Sequence, residues 1–207
     1  MEKFTSVTGV AAPLIEDDVN TDQIAPVGGG PRLNQNYSEI LFLNRRKRPD
    51  GSVDTDFVFN KPQFARPSIL VTGRNFGCGS SRESAVWAMA AIGIRCIVAR
   101  SFADIYRENC LQNGVLPVTL SVADTEVLEA RVLEANGATP FTADLENQRI
   151  VGPDGSAFSF ELPPADRMRL MEGLDDIGLS LKLDSEIDAW EKRISIEMPW
   201  MQRAFQN

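Results

Sequence analysis

The stretch of residues 68–120 constrains the fold of this chain more than any other part of it. Three short apolar runs predict buried strands: residues 69–71, 96–99 and 115–120. The segments between them have helical periodicity, and Gly93 and Asn113-Gly114 are helix-ending signals. The order β-α-β-α-β predicts parallel pairing with right-handed crossovers. We therefore expect an α/β fold with a mixed or parallel β core flanked by helices.

Weaker patterns flank this region. They predict a short helix over residues 37–48, a helix over 123–135, a hairpin around Pro153-Asp154-Gly155, a helix over 164–172 ended by Gly173, and a tail helix over 184–193. The first of these helices ends in the basic run Arg45-Arg46-Lys47-Arg48, which we interpret as a solvated helix end or as a patch for an acidic partner. We expect one domain over residues 1–207, with residues 184–207 as its helical appendage.

A glycine-rich loop lies between the first predicted strand and the first predicted helix of the central stretch. After it, Ser80-Ser81-Arg82-Glu83 has the S-x-x-E form of a capping box, which predicts that the helix begins there. A helix N-terminus favours anions, and Arg74 and Arg82 add guanidinium groups that suit carboxylates. The pattern predicts a site for a small anion, although a tight strand-to-helix turn with a good cap explains it equally well. A dinucleotide loop would need glycine in place of Arg82, and a P-loop would need G-K-S or G-K-T.

Histidine is absent, and this excludes Ser-His-Asp and Cys-His machinery as well as histidine-based metal sites. The three cysteines, Cys78, Cys96 and Cys110, are widely spaced and form no C-x-x-C motif. We therefore expect no metal or cofactor to be bound by this chain alone. Cys96 and Cys110 fall in a predicted strand and a predicted helix, where we expect them to be core residues.

The net charge of −8 disfavours nucleic acid as a partner, because an acidic surface repels phosphate backbones. The longest apolar run, residues 85–94, is much shorter than the ~20 residues that cross a bilayer. The N-terminus has no basic segment followed by an apolar one. We expect a cytoplasmic protein with no membrane partner.

Several motifs together resemble a known family. Gly77-Cys78-Gly79-Ser80-Ser81-Arg82-Glu83 resembles the signature of the aconitase-superfamily swivel domain, and residues 17–24 resemble that domain's second signature. Residues 101–105 and 109–117 continue the match. Residues 172–179 resemble the C-terminal segment of isopropylmalate isomerase (3-isopropylmalate dehydratase) small subunits. The resemblance spans most of the chain in order and at compatible spacing.

The resemblance implies a swivelling β/β/α domain that pairs with a separate large subunit. That partner would hold a 4Fe–4S cluster. The implied reaction is a reversible removal and re-addition of water on a small hydroxy-dicarboxylate. For this family the substrate is 2-isopropylmalate, which becomes 3-isopropylmalate in leucine biosynthesis.

The resemblance also implies roles for individual residues. The family's serine base falls on Ser80, and its contacts to substrate carboxylates fall on Ser81 and Arg82. Thr21 and Asp22 match positions near the active site, and we include Arg74 as a further substrate-binding candidate. A serine hydroxyl titrates far above neutral pH, and a helix N-terminus contributes at most ~2 kcal/mol. We therefore expect the isolated chain to be inactive.

Two departures from the family pattern leave the substrate open. Ser84 stands where many members have histidine, and the loop over residues 25–36 has three glycines where bulky apolar and basic residues are usual. The loop indicates either neutral variation or a paralogue for a dimethylmalate or citramalate type of substrate, in which Arg32 could meet a carboxylate. A non-catalytic anion-binding or structural partner subunit is the other alternative.

Overall fold

The computed structural model describes residues 1–26 and 36–201 of the chain. It divides into two compact units, Met1–Gly173 and Leu174–Asn207. The predictions for Gly28-Gly29-Gly30 and for Arg32 lie outside the described residues. The prediction of one domain with an appendage from residue 184 stays a prediction.

Within its described residues, the first unit contains eight strands. They are β1 (Ser6–Gly9), β2 (Ala11–Leu14), β3 (Ile69–Thr72), β4 (Cys96–Ala99), β5 (Leu116–Thr119), β6 (Phe141–Asp144), β7 (Arg149–Val151) and β8 (Ala157–Ser159). One sheet has the order β1-β6-β7-β8 and is antiparallel throughout. The other has the order β2-β3-β4-β5 and is parallel throughout.

The helices of the first unit are α1 (Thr21–Ile24), α2 (Tyr37–Ile40), α3 (Ser84–Ala91), α4 (Asp104–Gln112), α5 (Val122–Ala135) and α6 (Pro164–Glu172). Two short 3-10 turns cover residues 58–60 and 62–64. The second unit contains α7 (Asp176–Leu181) and α8 (Asp184–Glu197) in its described part.

The parallel sheet is buried on both faces, which explains its continuous apolar strands. Every residue of β3 and β4 is buried. Leu70 and Ile97 point to an apolar cluster that includes α3, whereas Val71 and Val98 point to a second cluster that includes the antiparallel sheet, α5 and α6. Adjacent residues point to opposite faces of a strand, so each strand contributes to both clusters.

The predicted β-α-β-α-β order is confirmed by β3, α3, β4, α4 and β5. Gly93 ends the first of these helices with a φ of 103°, a left-handed conformation that favours glycine. The hairpin of β7 and β8 and the end of α6 at Gly173 are also as predicted. The α/β fold class is confirmed.

Two local predictions are wrong. The capping box at residues 80–83 does not form, because Glu83 is the N-cap of α3 and makes no side-chain capping bond. The helix predicted over residues 37–48 ends at Ile40, and Phe42 then adopts a φ of 49°. The ring of Phe42 packs against Phe57 and Phe59 in the core, so burial of an aromatic cluster replaces continuation of the helix.

Candidate active site

Two segments meet at the edge of the parallel sheet. The acidic segment (residues 16–24) follows β2, and the glycine loop (residues 73–83) follows β3. Because β2 and β3 are parallel neighbours, the segments leave the sheet side by side, at the edge where ligands bind in open α/β sheets. Four backbone hydrogen bonds join them: Gly73 N–H to Glu16 O at 3.1 Å, and Asp18 N–H to Arg74 O, Gly77 N–H to Val19 O and Thr21 N–H to Cys78 O, each at 2.8 Å.

A capping box fixes the end of the acidic segment, at α1. The side chain of Asn20 accepts a hydrogen bond from the N–H of Gln23 at 2.8 Å, and the Gln23 side chain accepts one from the N–H of Asn20 at 3.0 Å. This N-x-x-Q spacing is a readable capping signal in the sequence that is absent from the predictions above. The box gives the four-residue helix a defined start, which places Thr21 against the glycine loop.

Gly77 gives the glycine loop its shape. Its φ is 77°, and a Cβ atom at this position would collide with the ring of Tyr106. The loop backbone therefore packs directly on a buried tyrosine of α4. Two further contacts brace the loop, since Asn75 donates its side-chain N–H to Asp18 at 2.8 Å and its backbone N–H to the hydroxyl of Ser101 at 2.8 Å.

Ser80 is half-buried and lies in the loop before α3, not in the first turn of that helix. Its backbone N–H donates to Oγ1 of Thr21 at 2.9 Å. The next residue, Ser81, has an exposed side chain, and its carbonyl accepts a hydrogen bond from the Asn109 side chain at 3.2 Å. The pair of serines is thus held by its backbone, and Ser80 is not buried in the core.

Both arginines of the loop already contact carboxylates. Arg82 forms an ion pair with Asp22 of α1. The guanidinium of Arg74 lies 3.4 Å from the carboxylate of Asp18 and 3.7 Å from that of Asp17. These side chains are all at least one third exposed, and ion pairs of that kind contribute little to stability. The two guanidinium groups are therefore held only weakly by their present partners.

The structure brings together six of the seven predicted site residues: Ser80, Ser81, Arg82, Arg74, Thr21 and Asp22. The seventh, Arg32, lies outside the described residues. Asn109 is a contact that the sequence analysis did not single out. It lies within a motif that carried the family resemblance, but only the fold shows that its side chain reaches the glycine loop.

The cysteines do not fit an iron–sulfur cluster. Cys96 and Cys110 are completely buried, and burial raises the pKa of both thiols well above the ordinary value. The prediction that they are core residues is confirmed. Over residues 1–26 and 36–201, no group of three or more histidine, cysteine, aspartate or glutamate residues is arranged to hold a metal ion. Nor does any helix in this part of the chain combine the length and apolar character needed to cross a membrane.

Comparison with protein families defines the class of this fold and site. An aconitase C-terminal domain model matches residues 1–123. A model described as LeuD_N matches residues 130–164, and a model of the C-terminal domain of the 3-isopropylmalate dehydratase small subunit matches residues 176–204. The first unit is thus a domain of the aconitase C-terminal class.

Individual relatives identify the family within this class. The chain is 46% identical over 202 residues to the 3-isopropylmalate dehydratase small subunit of Dinoroseobacter shibae, covering 97% of this chain and 100% of the relative. It is 45% identical over 201 residues to the small subunit of the same name from Rhodopseudomonas palustris strain TIE-1, with the same coverage. The chain therefore belongs to the 3-isopropylmalate dehydratase small-subunit family.

A solved structure agrees with the fold. The crystal structure of 3-isopropylmalate dehydratase from Methanocaldococcus jannaschii has a TM-score of 0.60 to this chain and 24% sequence identity. The match covers 90% of this chain and 99% of the other. The family, the aconitase-type fold and the function as a dehydratase small subunit are confirmed predictions.

Proposed function

We propose that this chain completes the active site of a two-subunit hydro-lyase that converts 2-isopropylmalate to 3-isopropylmalate in leucine biosynthesis. One observation carries the proposal: a half-buried serine lies on the same loop as two arginines that are paired only with partly exposed carboxylates. The names of the relatives support the substrate. The partner is a large subunit that holds a 4Fe–4S cluster, and the complex acts in the cytoplasm.

In this proposal Ser80 is the base. As the alkoxide, its oxygen takes the proton from the substrate carbon next to a carboxylate. The electrons of that C–H bond form a C=C bond, and the hydroxyl group on the neighbouring carbon leaves as water after protonation in the completed site. Re-addition reverses these steps, with water adding to one carbon and Ser80 returning the proton to the other. A serine hydroxyl is a weak base near neutral pH, and Ser80 receives little help from the dipole of α3, because that helix begins only at Ser84. The isolated chain is therefore inactive, and the partner must complete a dry, positively charged site.

The two arginines match the two carboxylates of the substrate. We infer that one substrate carboxylate replaces Asp22 at Arg82 and that the other replaces Asp17 and Asp18 at Arg74. Guanidinium groups bind carboxylates through two parallel hydrogen bonds, which also orient the substrate. Ser81 adds an exposed hydroxyl beside Arg82, and Arg32 is a further candidate for a carboxylate contact.

The test uses this chain co-expressed with the large subunit encoded by the same genome. The wild-type complex should dehydrate 2-isopropylmalate, and Ser80→Ala should lower kcat by a factor of about 10² to 10⁴, the usual contribution of a positioned base. Ser159→Ala is the matched control, because Ser159 is an exposed serine on β8 in the other sheet. Full activity of the Ser80→Ala complex would show that this residue is not the base.

A panel of substituted malates tests the substrate. The complex should prefer isopropylmalate to dimethylmalate and citramalate. A preference for either of the smaller malates would reassign the chain to a paralogous enzyme.

A further inference from the structure

We propose that Thr21 and Asn109 are positioning residues, which hold the backbone of Ser80 and Ser81 from two different helices. The inference rests on the proposed role of Ser80 as the base. It adds that the orientation of Ser80 is set by side chains that do not themselves touch the substrate.

Thr21 holds the amide before Ser80. The threonine is 1% exposed, and its Oγ1 accepts the Ser80 N–H at 2.9 Å. Its own N–H donates to the carbonyl of Cys78 at 2.8 Å. The backbone and the side chain of Thr21 therefore both hydrogen-bond to the glycine loop. A β-branched side chain has few rotamers, and the capping box fixes the start of α1. The hydroxyl is therefore a rigid acceptor.

Asn109 holds the carbonyl after Ser81. This asparagine of α4 is 7% exposed, and its side-chain N–H donates to that carbonyl at 3.2 Å. One turn further along α4, the side chain of Asn113 donates to the Asn109 carbonyl at 2.8 Å and to the carboxylate of Glu83 at 3.4 Å. Asn109 and Asn113 therefore contact the end of the glycine loop at two successive points, Ser81 and Glu83.

The two contacts enclose the serine pair. Fixing the peptide bonds before Ser80 and after Ser81 limits the backbone conformations open to these two residues, and so restricts the positions that the Ser80 hydroxyl can take. A displacement of 1 Å at a reacting group can lower a rate by about 100-fold. Thr21 and Asn109 are both buried, so their effect on the reaction is exerted through the serine backbone.

The first experiment measures steady-state kinetics of the complex with the large subunit. Thr21→Val keeps the shape of the side chain but removes the acceptor, and we expect kcat to fall about tenfold or more with a much smaller change in KM. Thr21→Ser restores the hydroxyl and should recover kcat to within about threefold of wild type. Thr125→Val is the matched control, since Thr125 is a completely buried threonine of α5 whose hydroxyl donates to the Ser121 carbonyl at 2.8 Å.

A second variant keeps the proposal testable if Thr21→Val does not fold. Asn109→Asp preserves shape but replaces the amide donor with an oxygen facing the Ser81 carbonyl, and it should lower kcat in the same way. If a folded Thr21→Val or Asn109→Asp complex keeps the kcat of the Thr125→Val control, the positioning role is wrong. Ser80→Ala separates the two proposals: full turnover of that variant refutes the base itself, whereas loss of turnover there with active positioning variants refutes only this inference.

Discussion

Two loops of the first unit carry arginines and use them in opposite ways. In the glycine loop, Arg74 and Arg82 are separated from other basic residues in the sequence. Each forms an ion pair with a partly exposed carboxylate of the acidic segment. In the basic loop (residues 41–57), two arginines of a four-residue basic run, Arg45 and Arg46, contact an aromatic ring and a backbone carbonyl of the loop and of the turn that follows it. Charge density along a sequence therefore does not show where charge is available to a ligand.

The contacts of the basic loop explain this use. The guanidinium of Arg45 lies 4.9 Å from the ring centre of Phe57, and that of Arg46 donates to the carbonyl of Phe59 at 3.3 Å. Burial lowers the pKa of Arg46, as expected for a cation partly removed from water. Arg48 lies 3.5 Å from the carboxylates of both Asp54 and Asp56. The run is therefore not a helix end, because α2 ends at Ile40, although Lys47 and Arg48 are exposed as a solvated segment would be.

The largest expected difference between the loops concerns their glycines. Gly77 and Gly51 both have positive φ angles, of 77° and 85°, but a Cβ atom at Gly77 would collide with Tyr106, whereas nothing lies within 4 Å of one at Gly51. Gly77→Ala should destabilise the chain by about 2–5 kcal/mol, the sum of left-handed strain and overpacking. Gly51→Ala should cost only the strain, about 1–2 kcal/mol. Urea unfolding of the purified variants measures both, and equal losses would show that the glycine loop is not packed on Tyr106 as described.

Much of the fold was predictable, because the strands and helices of residues 68–120 have strong local signals. The apolar runs of β3 and β4 and the positive φ of Gly93 depend on neighbouring residues alone. The start of α3 was not predictable in this way. The S-x-x-E pattern at Ser80 favours a capping box locally, but α3 begins only at Ser84, and the backbone of Ser80 and Ser81 hydrogen-bonds to Thr21 and Asn109 across the fold.

The members of the candidate site were mostly predictable, but their interactions were not. Family resemblance indicated Ser80, Arg82 and Asp22, yet the sequence does not show that the last two pair with each other. That contact depends on parallel pairing of β2 with β3, two strands far apart in the chain. Asn109 was missed for the same reason, because its partner Ser81 is reached across the fold.

The next largest effect tests whether the arginines of the glycine loop serve the substrate. Arg82→Ala in the complex should lower kcat/KM about 10- to 100-fold, because a charged hydrogen bond to a carboxylate contributes about 1.5–3 kcal/mol. The melting temperature should change little, since the pair with Asp22 is partly exposed. Substrate-dependence curves and thermal unfolding separate the two effects. A large loss of stability with unchanged kinetics would show that Arg82 stabilises the fold, as the arginines of the basic loop do, and does not bind the substrate.

The opposite result is expected in the basic loop. Arg46→Met keeps much of the apolar stem but removes the donor to the Phe59 carbonyl, so the free energy of unfolding should fall by about 1–2 kcal/mol. The kinetic constants of the complex should not change. Urea unfolding and steady-state assays of the same preparation measure the two quantities, and a loss of kcat/KM at full stability would assign this loop a role in binding.

The smallest effect concerns an ion pair between the acidic segment and the basic loop. Glu16, at the start of the acidic segment, lies 2.7 Å from Arg45 of the basic loop, and their side chains are 44% and 26% exposed. Glu16→Gln should lower the free energy of unfolding by no more than about 0.5 kcal/mol, and 0.5 M salt should reduce the difference, as for other exposed ion pairs. Glu161→Gln, at an exposed glutamate just after β8, is the control for the loss of one surface charge. A loss above about 1.5 kcal/mol that persists in salt would mean that the basic loop supports the acidic segment through this pair. In that case the acidic segment and the basic loop would stabilise each other, and the aromatic contacts of Arg45 would no longer suffice to explain its position.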